Sequence, residues 1–522
     1  MDIEQFRKAG YAAIDSICDY YSNISNVPVK AQVQPGYLID QLPKEAPENG
    51  QEFDEISKDF GKLILPGITH WQSPSFFAYF PSNSTFECML ADLYSASVAN
   101  PGFNWICSPA CTELEQVVVE WAARMLGLSE NFWGSSGIGG GVIMGSASDS
   151  AFTAAIAARE KALRQLSIQN GVKPAENGQV EIPDSIRQEY GQKLVVYGST
   201  QTHSIGAKSA LMLGLPFRAI PVSAEDQYSL RGESVKEAIE KDKQDGLVPF
   251  LVYATIGTTS TGAIDRIGEI GEVLKEYPTV FLHVDAAWAG VANALPKYRE
   301  SLRLQEVNEY ADSFCTNFHK WGLTTFDCSI FCVKNRQDLT QALDVTPSYL
   351  RSKEADAGTV IDYRNWQPAL GRRFRSIKLW FVLRSYGIQG FQKHLERGIE
   401  HCDELAKVVE SSKNFEIVTK PSLSLLVFRL KPSSTTAVQV DDDELNIINQ
   451  RLYTNLDLRY DVFLSQTVLH SKESNKFVLR LAMGGVNTTF KDVEKTWKII
   501  EEEGEKVLDD WEKQKKELEI ES

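Results

Sequence analysis

Lys320 stands in the segment Asn317-Phe318-His319-Lys320-Trp321, at the end of an otherwise apolar stretch. An amine set among rings is partly desolvated, which lowers its pKa and frees the nitrogen as a nucleophile able to form a Schiff base. A lysine that lays its stem on apolar surface and keeps its ammonium in water would look the same in isolation. Asp285, 35 residues earlier, closes the apolar run TVFLHVD. A carboxylate there needs a partner, because burying an unpaired charge is costly. No acidic cluster surrounds it, so a cationic organic partner such as a protonated pyridine nitrogen fits better than a metal. Gly145-Ser146-Ala147-Ser148 follows the apolar GGGVI and opens a helical stretch. Small residues at such a turn let backbone N–H groups approach an anion, and the helix terminus adds its dipole. Neither GxxxxGK[ST] nor GxGxxG is present at this turn, which argues against the common nucleotide-binding loops. His203, within QTHSIGAK, completes an ordered set of phosphate turn, histidine, aspartate and lysine.

These groups must be held by a framework, and the pattern from about residue 86 to 380 supplies one. Short β-branched runs, GGVIM, KLVVYGST, PFLVYATIGTT, TVFLHVDAAWAG and SFCTNFHKWG, alternate with helical stretches such as SVKEAIEKDKQDG and IGEIGEVLKEY. That is the βαβ rhythm of a mainly parallel sheet with helices on both faces. Ligands of such sheets bind at the carboxyl ends of the strands, where the polar residues above fall. Residues 1–85 read as helical pieces joined by a Pro-rich, extended arm with little core of its own, suited to packing on a partner subunit. Residues 381–522 read as a smaller α+β unit with strands near FEIVTK, SLLVFRL and KFVLRLAMGG. It ends in a helix with Val493, Trp497, Ile500, Val507 and Trp511 on one face.

Composition narrows the classes. The chain has 522 residues, 43% hydrophobic and 24% charged, as expected for a globular protein of two or three units. A net charge of −16 without a basic run excludes general binding to nucleic acid or anionic membrane. The opening MDIEQFRKAG lacks the basic and apolar regions of a secretory signal, and no apolar run reaches membrane-spanning length, so a cytoplasmic location is expected. Cys107/Cys111 and Cys328/Cys332 are each four apart, but no histidine completes a zinc site, and buried reduced thiols with no metal are expected.

Taken together, the chain resembles the group II pyridoxal-phosphate (PLP) decarboxylases, in their aromatic-L-amino-acid branch. The matching segments are ITHWQSPSFFAYFPS, SPACTELE, GGGVIMGSAS, ATIGTT, HVDAAWAG, NFHKW, DYRNWQ and GRRFRSIKLWFVLRSYG, running nearly end to end. The resemblance implies a fold type I, aspartate aminotransferase-like α/β architecture and a homodimer with active sites at the subunit interface. It implies that Lys320 carries the cofactor, that Asp285 pairs with the ring nitrogen, and that His203 stacks on the ring. Ala147, Ser148 and Asn317 would hold the phosphate, with Thr259 and His319 beside the cofactor.

On the substrate side, Trp71, Tyr79, Phe80, Pro81 and Ser82 match the family's pocket segment, with Phe76 a core residue. Pro101 and Phe103 match residues reaching in from the neighbouring subunit. Aromatic walls suit an aromatic side chain. Tyr349, 29 residues after Lys320, matches the tyrosine of a mobile catalytic loop, placed to return a proton to Cα after carbon dioxide leaves. In related aldehyde synthases that tyrosine is often phenylalanine, or the stacking histidine is replaced. Both are retained here, which favours an amine product over an aldehyde, and intact Lys320 and Tyr349 speak against a catalytically idle homologue. Gly371 sits where some relatives carry serine and leaves room for an indole or catechol, and Gln72 stands where animal relatives have histidine. Tryptophan, phenylalanine, tyrosine and dihydroxyphenylalanine remain open as substrates.

Overall fold

In a computed structural model, the protein is described for residues 1–176, 178–433, 440–470 and 474–521, with side chains to 517. Seven strands form the larger sheet: β1 (Gly140–Met144), β2 (Leu194–Ser199), β3 (Phe217–Ile220), β4 (Val248–Thr255), β5 (Phe281–Asp285), β6 (Ser313–Asn317) and β7 (Ser329–Val333). Their order is β1-β7-β6-β5-β4-β2-β3. All pairings are parallel except those of β7, which runs antiparallel to both β1 and β6. Strands β1, β2, β5, β6 and β7 are buried at every residue, as strands covered on both faces must be, whereas edge strand β3 is partly exposed. A second sheet, fully antiparallel, holds β8 (Phe415–Ser422), β9 (Leu425–Leu430), β10 (Ser465–His470) and β11 (Asn475–Ala482) in the order β10-β11-β9-β8.

Local signals place the helices that matter for the site. Ser146 caps the 23-residue helix Ala147–Gln169 by accepting from the Asp149 N–H. Its buried Ala151, Ala154, Ala155, Ala158 and Ala162 let it lie close on the sheet. The helix therefore starts at Ala147, inside the turn expected to precede it. Ser108 caps the helix Pro109–Leu126, with proline in the first turn and Gly127 ending it at φ 76°.

The remaining elements agree with the pattern at some points and depart from it at others. The first helix, Ile3–Asn23, buries none of its residues. The terminal helix Phe490–Glu521 buries Val493, Trp497, Ile500, Val507 and Trp511, as its stripe predicts. Helix Ser376–Ser411 is broken at Gly387, whose φ of 59° leaves the helical region. Cys328 and Cys332 are buried thiols, but Cys107 is exposed, so the expectation of burial fails there. No cluster able to hold a metal, and no helix long and apolar enough to cross a membrane, occurs among the described residues.

Candidate active site

A cavity of about 220 Å³ opens at the carboxyl ends of the parallel strands. Of the residues singled out by sequence, Phe80, Ala147, Ser148 and His203 line it, together with Thr259, Asp285, Asn317, His319 and Lys320. They arrive from separate elements. Asp285 is the last residue of β5, and Asn317 the last of β6. Lys320 lies on the one-turn helix Phe318–Trp321 rather than on the strand itself. That turn is strapped from outside: Ser82 Oγ donates to the His319 carbonyl at 2.9 Å and Asn83 Nδ2 to the Lys320 carbonyl at 2.7 Å. Ser82 thus holds the His319 carbonyl, just before the lysine, instead of lining the cavity.

Burial lowers the Lys320 pKa, the Asp285 and Cys315 side chains oppose this, and Arg480 reinforces it. The net effect enlarges the fraction of free amine near neutral pH. His203 Nδ1 accepts from the Ile205 N–H at 3.3 Å, which leaves its proton on Nε2. Burial and nearby Lys320 lower its pKa, against the pull of Asp285. His319 Nδ1 accepts from the Cys328 N–H at 2.9 Å, and burial brings its pKa down to about 3. It is a neutral donor through Nε2.

Sequence reasoning missed Ile205, Thr255, Gly257, Ala287 and Trp288 on the cavity wall, whereas Ser146 belongs to the turn already singled out. The Trp288 ring stacks on Phe80 with centroids 4.3 Å apart and planes 15° from parallel. Gly257 has φ 84°, and a Cβ there would meet the Ala289 Cβ at 2.6 Å, so only glycine fits. Trp288 and Gly257 stand three and two residues from residues already singled out, a signal that was available. Arg480 of β11 was not signalled at all: it is 3% exposed, lies 5.2 Å from the Phe80 ring centroid, and forms no ion pair among the described residues. Its partners are Ser465 Oγ at 2.9 Å and the Tyr79 carbonyl at 3.5 Å, and burial lowers its pKa to about 10.

The other expected substrate residues lie elsewhere. Trp71 and Tyr79 are exposed and stack on each other at 5.9 Å, and Tyr79 holds a left-handed φ of 51°. Pro81 and Phe76 are buried. Pro101, Phe103 and Gly371 do not line the cavity of their own chain, yet they are neighbours: the Arg372 N–H donates to the Pro101 carbonyl at 2.6 Å and the Arg364 N–H to that of Phe103 at 3.0 Å. The Arg372–Glu115 ion pair beneath them is buried at 2.6 Å. Tyr349 is 80% exposed and does not touch the cavity. Gln72 spans the pocket segment, donating to the Ser82 carbonyl at 2.5 Å and accepting from the Ser84 N–H at 3.0 Å.

The buried histidines carry a stability consequence. His394, like His319, is held at about 3 by burial, with Arg397 adding to the effect. Unfolded, each titrates near 6.5, so between pH 3 and 6.5 the folded chain binds fewer protons than the unfolded one. Their contribution is complete above pH 6.5 and is lost as pH falls. The melting temperature should decline as pH drops from 7 to 4.5, and His394→Gln should flatten that decline in a thermal scan at each pH.

The cavity's chemistry fits PLP. Its lining brings together the start of a long helix, the buried Asn317 Oδ1 and Thr255 Oγ1, neither with a partner among the described residues, and the His319 donor. A carboxylate and an amine of lowered pKa line the same cavity. Comparison with known proteins agrees. The model of the pyridoxal-dependent decarboxylase conserved domain matches residues 35–431. The chain is 42% identical to phenylacetaldehyde synthase of Arabidopsis thaliana, over 97% of each protein. It is 40% identical to aromatic-L-amino-acid decarboxylase of Mus musculus, over 97% of this chain and 99% of that one. The crystal structure of Oryza sativa TDC with PLP and tryptamine matches with a TM-score of 0.88 and 33% identity, over 97% of this chain and 99% of that one. Fold, cavity and relatives converge: the chain belongs to the group II pyridoxal-dependent decarboxylases, in their aromatic-L-amino-acid branch, with pyridoxal phosphate as cofactor.

Proposed function

We propose that the protein converts aromatic L-amino acids, in the tryptophan, phenylalanine, tyrosine and dihydroxyphenylalanine range, to the corresponding arylalkylamines and carbon dioxide. The observation that carries this reading is the convergence of Lys320, Asp285 and His203 on one cavity walled by the stacked Phe80 and Trp288 rings. When bound, the cofactor supplies an electron sink for the pair left at Cα as the carboxylate departs. The chain's residues do the rest. Lys320 Nζ holds the cofactor covalently, and Asp285 keeps the ring nitrogen protonated. His203 stacks on the ring, with Thr259 and His319 alongside. Ser148, the Ala147 N–H and Asn317 hold the phosphate at the helix start. Arg480, a buried cation without an acidic partner among the described residues, supplies positive potential that draws the substrate carboxylate toward Phe80. Tyr349 returns a proton to Cα once its loop closes.

An aldehyde product has one specific support: the Arabidopsis relative is a phenylacetaldehyde synthase. Retention of Tyr349 and His203 favours the amine. Incubation with each of the four amino acids, followed by chromatography of products, tests the reading. One amine formed per substrate consumed is expected; aldehyde as the main product from every substrate would overturn it.

The same proposal covers the assembly. The helix Ile3–Asn23 and the helix Phe86–Val98 present Ile3, Phe6, Phe86, Leu90 and Leu93 around an apolar groove of about 1010 Å³. A second copy of the chain covers that face, and Pro101, Phe103 and Gly371, absent from their own cavity, complete the partner's. Mixing tests this. Lys320→Ala and Phe103→Asp homodimers should each be inactive, while co-expressed chains should recover about a quarter of wild-type activity, since half the dimers then hold one intact site. No recovery in the mixed dimers would place Phe103 outside the partner's site and overturn the shared-site reading.

The division at residues 85 and 380 into N-terminal arm, PLP-binding domain and C-terminal domain belongs to this proposal, supported by one sheet falling within each of the last two segments. So does a cytoplasmic location, supported by six buried free thiols.

A further inference from the structure

Asp285 does not stand alone beneath the cavity. His283 lies two residues earlier on β5, on the same face of the sheet. On the neighbouring β6, Ser313 sits opposite His283 and Cys315 opposite Asp285. Across these two rungs the side chains form one continuous ladder. Ser313 Oγ is 2.7 Å from His283 Nδ1, His283 Nε2 is 3.6 Å from Cys315 Sγ, and Cys315 Sγ is 3.7 Å from Asp285 Oδ1. The Ala287 N–H donates to the same carboxylate oxygen at 2.9 Å. His283, Ser313 and Cys315 are 0% exposed.

Polar groups in the middle of a buried parallel sheet are costly unless each finds a partner, and valine would fill these positions without that demand. Here one proton assignment satisfies every member. Ser313 donates to Nδ1 of a neutral imidazole, Nε2–H donates to the sulfur, and the thiol donates to Asp285. Burial supports both neutral forms: it brings His283 down to about 4 and, with Asp285 adding to it, pushes the Cys315 thiol well above its usual range. All donations therefore run toward the carboxylate. With Oδ1 occupied by two donors, Oδ2 is the oxygen left for the cavity that Asp285 lines. Lys320 and His203 face Asp285 from the cavity, and the Tyr253 ring meets His283 edge-on at 5.5 Å.

We infer that Cys315 and His283 are positioning residues, a neutral hydrogen-bonded ladder that orients the Asp285 carboxylate and holds its charge toward the ring nitrogen of pyridoxal phosphate. The inference rests on the proposed pairing of Asp285 with that nitrogen. The test uses purified full-length Cys315→Ala, Cys315→Ser and Asp285→Asn proteins. Cofactor affinity is measured by titrating the cofactor-stripped protein with pyridoxal phosphate, alongside the pH titration of the visible absorption band and the melting temperature of the stripped form. A hydrogen bond to a charged group is worth about tenfold in binding. Cys315→Ala should therefore bind the cofactor about tenfold more weakly and titrate at a shifted pH, and Cys315→Ser, which keeps a donor, should return to within about threefold of wild type. If Cys315→Ala matches wild type while Asp285→Asn is weakened, the ladder is packing alone and the inference falls while the pairing stands. If Asp285→Asn also matches wild type, the pairing itself falls and takes the inference with it. Equal weakening of both Cys315 variants, with lowered melting temperature, likewise assigns the ladder to packing and overturns the inference.

Discussion

Lys320→Ala protein should fold, retain non-covalent affinity for pyridoxal phosphate, and lose both the borohydride-reducible visible band and turnover. Affinity should persist because the other groups that line the cavity, from Ser146 to Ser148 with Asn317 and His319, are untouched by the change. Turnover should fall by at least about 10³-fold, since no other amine lines the cavity among the described residues to take over the covalent role. Arginine would not rescue it. A guanidinium stays protonated and offers no free electron pair, whereas burial and Arg480 lower the pKa of the Lys320 amine. Absorbance spectra before and after borohydride, with peptide mapping of the reduced wild-type protein, check this. A cofactor label found on any lysine other than Lys320 would contradict it.

Tyr349→Phe should leave cofactor binding unchanged and redirect the product. In this structure Tyr349 lies on the single turn Ser348–Leu350, 80% exposed and away from the cavity. It can act at Cα only after its segment closes, which also sheds water from the site. Loss of a positioned proton donor typically costs about 10²–10⁴-fold, so amine output should fall by that order. With protonation slowed, dioxygen competes as oxidant: amino acid, oxygen and water then give aldehyde, carbon dioxide, ammonia and hydrogen peroxide, with atoms in balance. Amine, aldehyde and peroxide measured in one reaction mixture decide the matter. An unchanged amine-to-aldehyde ratio would remove Tyr349 from the proton step.

What could be read from the chain depended on whether the groups are contiguous. Asp285, Asn317 and Lys320 each close or follow an apolar run, and strand ends are where such sheets place ligands. Their meeting in one cavity follows from the order of β5 and β6 in the sheet. Strand direction was not legible. β7 is an apolar run like its neighbours, and only its register with β1 and β6 reveals that it is antiparallel. Arg480 was invisible for a different reason: it belongs to β11 of the second sheet, 160 residues beyond Lys320, and becomes notable only when folding seats it against Phe80 with no acidic partner among the described residues. His283 and Cys315 read as ordinary members of buried strands until cross-strand register joins them to Asp285. Ser82, by contrast, was noticed for its motif, but its hydroxyl holds the His319 carbonyl.

The most direct test of an amine-forming decarboxylase is oxygen uptake recorded together with carbon dioxide release while the wild-type protein turns over an aromatic L-amino acid. Proton return from Tyr349 requires no oxidant, so carbon dioxide should be released with no oxygen consumed. One oxygen consumed per carbon dioxide released would contradict the account and make the protein an aldehyde synthase.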